Sequence, residues 1–126
     1  MARTKVNRYN QVLGRAGEDY AVEFLAERGF EILARNYRCG RNEIDLIAKR
    51  GNIISFVEVK TRRTAAFGHP TAAITTSKQR EIAKAAECYI HAAHHPDALY
   101  RFDVVAISFA NGIPMIEFIE DAFRIF

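Results

Sequence analysis

Three carboxylates and one lysine sit inside two short apolar, strand-like runs, Glu43-Ile44-Asp45-Leu46-Ile47 and Phe56-Val57-Glu58-Val59-Lys60. Side chains alternate faces along a strand, so Glu43 shares a side with Asp45, and Glu58 shares a side with Lys60. Between the runs lies Lys49-Arg50-Gly51-Asn52, which carries the Gly and Asn that a hairpin turn favours. A hairpin turning about Arg50 and Gly51, in the register that sets Asp45 opposite Glu58, also sets Glu43 opposite Lys60. All four then project from one sheet face, whereas a slip of one residue would scatter them. Unpaired charge inside a sheet core is costly or forces a large pKa shift, and a bound divalent cation removes that conflict. The plainer alternative is a half-exposed hairpin with Glu–Lys pairs across strands, worth ~0.2–1 kcal/mol each.

The elements that would position these groups can be read around them. The spacing of Leu13, Gly17, Tyr20, Ala21, Phe24 and Leu25 predicts a helix from about Val12 to Arg28, stopped by Gly29. Glu18 lies at the edge of its apolar stripe, where it can lean toward the carboxylates or simply face solvent. Residues 1–11, with Arg3, Lys5 and Arg8, read as a basic, flexible arm ahead of one domain spanning 12–126. Strands are expected at about 31–38, 43–49 and 53–60. A loop over 61–75 follows, with Thr61, Arg62, Arg63, Phe67, Gly68, His69 and Pro70, a mixture suited to phosphate contacts or to an ordinary basic surface. Thr76-Ser77-Lys78-Gln79 fits a capping box for a second helix, with Ile82, Ala85, Ala86, Tyr89, Ile90 and Ala93 as its inner stripe. Lys78, Arg80 and Lys84 gather near its start, where helix amides already favour anions. Two closing strands, about 101–109 and 114–119, flank Asn111-Gly112 and form a second hairpin. His91, His94 and His95 stand at helical spacing near the end of the second helix, without an acid or cysteine at ligand spacing. They are read as compatible with the helix dipole.

At 126 residues and 49% hydrophobic content the chain is long enough for one core-bearing α/β domain. Cys39 and Cys88 are its only cysteines, and they are expected to be ordinary reduced thiols of a cytoplasmic protein. No apolar run approaches a membrane span, and the polar start lacks a signal-peptide core. The net charge of +3 is unevenly spread: residues 33–84 carry a local +7, residues 85–126 a local −4. Three of the four acids in the basic segment are Glu43, Asp45 and Glu58. Acids ringed by cations suit a site that takes a metal together with a polyanion such as a nucleic-acid backbone.

With Asp45 in the second strand and Glu58-Val59-Lys60 in the third, the order of elements resembles the PD-(D/E)XK nuclease superfamily, in its small Holliday-junction-resolvase variant. More narrowly, Gly14-Arg15-Ala16-Gly17-Glu18, Ala34-Arg35-Asn36-Tyr37-Arg38, Glu43-Ile44-Asp45-Leu46-Ile47, Phe56-Val57-Glu58-Val59-Lys60-Thr61-Arg62 and Phe67-Gly68 resemble the YraN-like bacterial family over nearly the whole chain. Asn42 stands where that family usually has Gly, which implies a slightly altered turn.

The resemblance implies a restriction-endonuclease-like fold: one mixed sheet of about five strands flanked by helices, in the order α-β-β-β-α-β-β. It implies Asp45, Glu58 and Glu18 as metal ligands, Lys60 beside the attacking water or scissile phosphate, and Glu43 as an outer partner of the metal or of Lys60. Oxygen ligands without His or Cys suit Mg²⁺ or Mn²⁺, bound weakly without substrate. Arg41, Arg62, Arg63, Lys78, Arg80 and Lys84 are the expected nucleic-acid contacts. The expected function is metal-dependent endonucleolytic cleavage of DNA, branched or otherwise structured. The competing expectation is a module that keeps the fold but only binds nucleic acid or a partner protein. Junction-cutting relatives act as dimers, so a homodimer is compatible with the resemblance, while the residues themselves leave oligomeric state open.

Overall fold

A computed structural model describes residues 5–62, 74–110 and 112–125. The elements run α1 (Lys5–Glu27), β1 (Glu31–Cys39), β2 (Asn42–Arg50), β3 (Ile53–Arg62), α2 (Thr76–Ala92), β4 (Leu99–Ala110) and β5 (Ile113–Phe123). This is the expected single α/β domain with the expected element order. The five strands lie side by side in chain order, with β3 and β4 parallel and every other neighbouring pair antiparallel. Parallel neighbours need a crossover, and α2 provides it.

Strand alternation sorts the core into two layers. Ile54 and Phe56 of β3, with Phe102 and Val104 of β4, pack against Ile82, Ala85, Ala86 and Tyr89 of α2. Val57, Val105 and Ile107 turn the other way, onto Ala21 and Leu25 of α1. Both central strands are thus covered on both faces, as a parallel pair requires. The apolar stripe read for the second helix is the one that α2 buries. Glu58 and Lys60, in step with Ile54 and Phe56, therefore belong to the α2 side of β3.

Several boundaries differ from the sequence reading. Helix α1 begins at Lys5 rather than near Val12, since no proline interrupts residues 5–27 and glycines 14 and 17 do not break it. The cap of α2 is Thr75 rather than Thr76: its side chain accepts from the Lys78 N–H at 3.1 Å, and Gln79 Nε2 donates to Ile74 O at 3.2 Å. Strand β3 continues through Thr61 and Arg62, beyond the end expected at residue 60. The turn before β2 is carried by Gly40 at φ 62°, so Asn42 begins the strand without a left-handed backbone. Finally, Cys39 and Cys88 form a disulfide, not two reduced thiols, with Cα atoms 6.3 Å apart. They lie 49 residues apart, and only the packing of the end of β1 on α2 brings them together. Among the described residues no helix is long and apolar enough to cross a membrane.

Candidate functional site

The β2–β3 hairpin turns at Gly51, φ 61°, and pairs Arg50 with Ile53 through to Leu46 with Val57. That register points Asp45 at Glu58, as the sequence predicts, but the ladder stops one step short of them. Here a side chain takes over the role of the backbone acceptor: the Val59 N–H donates to Asp45 Oδ2 at 2.8 Å. Alternation also breaks at this point, because Ile44 joins the α2-side core with Ile47 while Leu46 packs under α1. The two strands separate at the acidic pair.

Glu58 is almost sealed, at 6% exposure. Burial, then the neighbouring Asp45 charge, pushes its carboxyl up to about 7, against the pull of Lys78 and Lys60. Asp45 is also raised by burial, a shift opposed by its bond from Val59 and by Lys78. The two carboxyl groups face one another, and each opposes ionisation of the other. The nearest ammonium groups stand off from Glu58 Oε1, Lys60 Nζ at 3.7 Å and Lys78 Nζ at 3.9 Å. These distances are ionic contacts beyond hydrogen-bond length. Burial here is therefore only partly compensated.

Glu18 approaches from α1. Gly17 makes this possible: a Cβ on it would fall 2.1 Å from Thr61 Oγ1, and 3.2 Å from both Thr61 Cβ and Cγ2, so only glycine lets the helix rest this close to β3. Burial and the charge of Asp45 raise the Glu18 carboxyl, while a hydrogen bond from the Asn36 side chain and the charge of Arg35 lower it. Glu18 Oε1 is buried without a hydrogen-bond partner, Arg35 Nη2 being 3.7 Å away. Asn36 holds φ 52°, a left-handed backbone inside a strand, between the Arg35–Leu46 and Tyr37–Ile44 pairs and so opposite Asp45. Asn36 lies within a family-like motif, but the motif alone assigns it no role. The available signal was a turn-forming residue in the middle of a strand.

The remaining expected residues divide. Glu43 pairs with Arg38 at 3.2 Å instead of standing opposite Lys60, because the hairpin ladder ends before that position. Lys78, expected on an outer phosphate-binding surface, turns into the carboxylate pair. Arg41, Arg80 and Lys84 are exposed, and Arg62 is half-buried at the end of β3. Arg63, Phe67, Gly68, His69 and Pro70 lie outside the described residues. His95 Nε2 is 2.9 Å from the Tyr89 hydroxyl, a partner the histidine spacing did not suggest.

Among the described residues no group of three or more His, Cys, Asp or Glu is already drawn together at ligand spacing. Asp45 and Glu58 face one another, and Glu18 is near enough for the Asp45 charge to act on it. The donors are all carboxylate oxygens, and among the described residues one of them, Glu18 Oε1, has no hydrogen-bond partner. That chemistry fits a hard divalent cation such as Mg²⁺ or Mn²⁺.

Residues 17–107 match the model of a family described as uncharacterised protein family UPF0102, a span that includes Glu18, Asp45, Glu58, Lys60 and Lys78. The chain is 50% identical over 123 residues to a UPF0102 protein of Chloroherpeton thalassium, covering 91% of this chain and 95% of the relative. It is 49% identical to one of Caldicellulosiruptor saccharolyticus, covering 88% and 96% of the two chains. A third, from Clostridium perfringens, is 43% identical, covering 95% of this chain and all of the relative. With the family model spanning most of its length and relatives matching nearly end to end, the chain belongs to the UPF0102 family, the YraN-like group whose motifs it carries.

Proposed function

We propose that this protein is a metal-dependent endonuclease that hydrolyses phosphodiester bonds in DNA, branched or otherwise structured. The observation that carries this reading is the pairing of half-buried Asp45 with buried Glu58, whose two lysines stand at 3.7 and 3.9 Å rather than in hydrogen-bonded contact. Maintaining such a pair costs stability, and a role in seating a cation beside a phosphate accounts for the cost.

Asp45 and Glu58 would hold Mg²⁺ or Mn²⁺, with Glu18 reaching it from α1 through its unpartnered oxygen. The bound cation would supply Lewis acidity toward a phosphate oxygen and a lowered pKa for water. The Val59 N–H favours the ionised form of Asp45 against the effect of burial and fixes its orientation. Lys60, rooted two residues from Glu58 on the same face of β3, sets a positive charge beside the phosphorus, where negative charge grows as water attacks and the bond to the leaving oxygen breaks. Exposed Arg41, Arg80 and Lys84 would meet flanking phosphates. DNA as substrate implies a cytoplasmic protein, and the Cys39–Cys88 disulfide is unusual for that compartment.

The second reading is a module that binds nucleic acid or a partner without turnover. Lys60 and Lys78 already give Glu58 its countercharge without a metal, which favours it. A panel of labelled branched and linear DNA and RNA, incubated with Mg²⁺ or Mn²⁺, separates the two. We expect cleavage by the wild type and a loss on the order of 10²–10³-fold in Asp45→Ala. Equal cleavage by the two proteins would refute the assignment, and salt-sensitive binding indifferent to metal would establish the module.

A further inference from the structure

Two ammonium groups share one carboxylate oxygen at this site. Lys60 Nζ reaches Glu58 Oε1 from the sheet and Lys78 Nζ reaches the same atom from the first turn of α2. Both are beyond hydrogen-bond length, so charge holds them and no directional bond locks them. The charge of Lys78 acts on Asp45 as well as on Glu58.

The two lysines differ in what anchors them. Lys60 rises from β3, on the same face as Glu58 and two residues away, in a strand held by the parallel ladder to β4. Lys78 has its backbone N–H fixed by Thr75 Oγ1, but its side chain is a flexible four-carbon stem, 37% exposed against 29% for Lys60 and 7% for Glu58. A divalent cation seated on Asp45 and Glu58 would repel both ammonium groups, and Lys78 is the one with solvent to move into. Exposed Arg80 and Lys84 lie along the same helix. A lysine displaced from Glu58 would therefore meet a nucleic-acid backbone at the end of a basic helix face.

We infer that Lys78 is an exchangeable counter-ion of the carboxylate pair: it neutralises Glu58 in the free protein and transfers to a phosphate of the incoming nucleic acid once a cation takes its place. This rests on the metal-dependent reading above and adds a coupling to it. Metal binding releases Lys78, the phosphate captures it, and each event therefore favours the other. A lysine that merely offset the burial of Glu58 would lack the second half of that exchange.

The distinguishing result is a pair of opposite effects. Mn²⁺ affinity is measured by calorimetry without nucleic acid. Binding of a fluorescent four-way DNA junction and of a linear duplex is measured by anisotropy with Ca²⁺ in place of Mn²⁺, across a salt series. We expect Lys78→Met to bind Mn²⁺ about fivefold more tightly, having lost a competing cation. The same variant should bind DNA about tenfold more weakly, with a salt slope shallower by about 1. Lys78→Arg, which keeps the charge, should recover most of the DNA affinity. Circular dichroism melting checks the fold, and Lys78→Gln replaces Lys78→Met if the latter melts early. Metal and DNA affinities that both stay within about twofold of wild type, or that both weaken, would overturn the exchange. Failure of the wild type to bind Mn²⁺ would overturn the metal-dependent reading itself, and the exchange with it.

Discussion

Asp103 and Glu58 are both acids on central strands, and both are almost sealed from water, at 0% and 6% exposure. Their surroundings differ sharply. Asp103 accepts from Arg101 Nε at 2.8 Å and Arg101 Nη2 at 3.0 Å, from the Asp121 N–H at 2.8 Å, and from the Ser55 hydroxyl. Every lone pair has work within the fold. Glu58 has another carboxyl for its hydrogen-bond partner and two ammonium groups held at a distance. The backbone makes the contrast sharper, because each region uses a left-handed non-glycine residue on the adjacent strand. Asp121, φ 52°, lies where the β4–β5 register shifts opposite Asp103 and turns its N–H onto that carboxylate. Asn36, φ 52°, lies opposite Asp45, yet its side chain reaches Glu18 and leaves one oxygen unpartnered. The same local device closes one region and leaves the other open. Burial of an acid alone marks neither structure nor chemistry; the state of its partners separates them.

Three substitutions test that separation. Asp103→Ala removes the acceptor for Arg101, Ser55 and the Asp121 N–H at once, and should cost ~3–5 kcal/mol of stability. Urea unfolding measures it, and any folded fraction should keep its response to Mn²⁺. A variant that stays fully stable but loses that response would merge the two regions into one.

Glu58→Gln should act in the other direction. The Glu58 carboxyl has a folded value of about 7 against an ordinary 4.5, so the native state binds this proton more tightly than the unfolded chain does. As pH rises through that window the unfolded state releases the proton first, and wild-type stability falls. Glutamine removes the dependence while keeping a donor for Asp45. The variant should match wild type below the lower value and exceed it by ~1–3 kcal/mol at about pH 8. Its melting temperature should not respond to Mn²⁺, whereas that of the wild type should rise. A variant less stable than wild type at alkaline pH would show Glu58 to be a satisfied group of the Asp103 kind.

Gly17→Ala should have the smallest effect. Its new methyl would collide with the Thr61 side chain, lifting α1 from β3 and Glu18 from the site, at ~1 kcal/mol. Adding Thr61→Ala should recover part of the loss in a double-mutant cycle. Strict additivity of the two changes would show that the close approach is not the cause.

Much of the open region was legible in the sequence. Gly51 fixed where the hairpin turned, and alternation then carried Asp45 toward Glu58 and kept Lys60 with it. What escaped was set by tertiary approach. Lys78 reads as one of three cations on a helix start, and only the seating of α2 on the sheet turns it inward. Glu43 followed the ideal ladder on paper, but the strands part before reaching it. The Asp103 network had no pattern to betray it: Ser55, Arg101, Asp103 and Asp121 belong to three strands, and a register shift in β5 assembles them. Cys39 and Cys88 escaped for the same reason, since neither has a neighbour in sequence that announces its partner.

The parallel ladder from Ile53–Leu99 to Arg62–Ser108 runs the full length of β3. Glu18, Asp45, Glu58, Lys60 and Lys78 all precede residue 79, whereas the strand that stiffens their platform is the penultimate one. A chain emerging from the ribosome would hold all five side chains before it could aim any of them, and a break after α2 would leave the full set on a floor without joists.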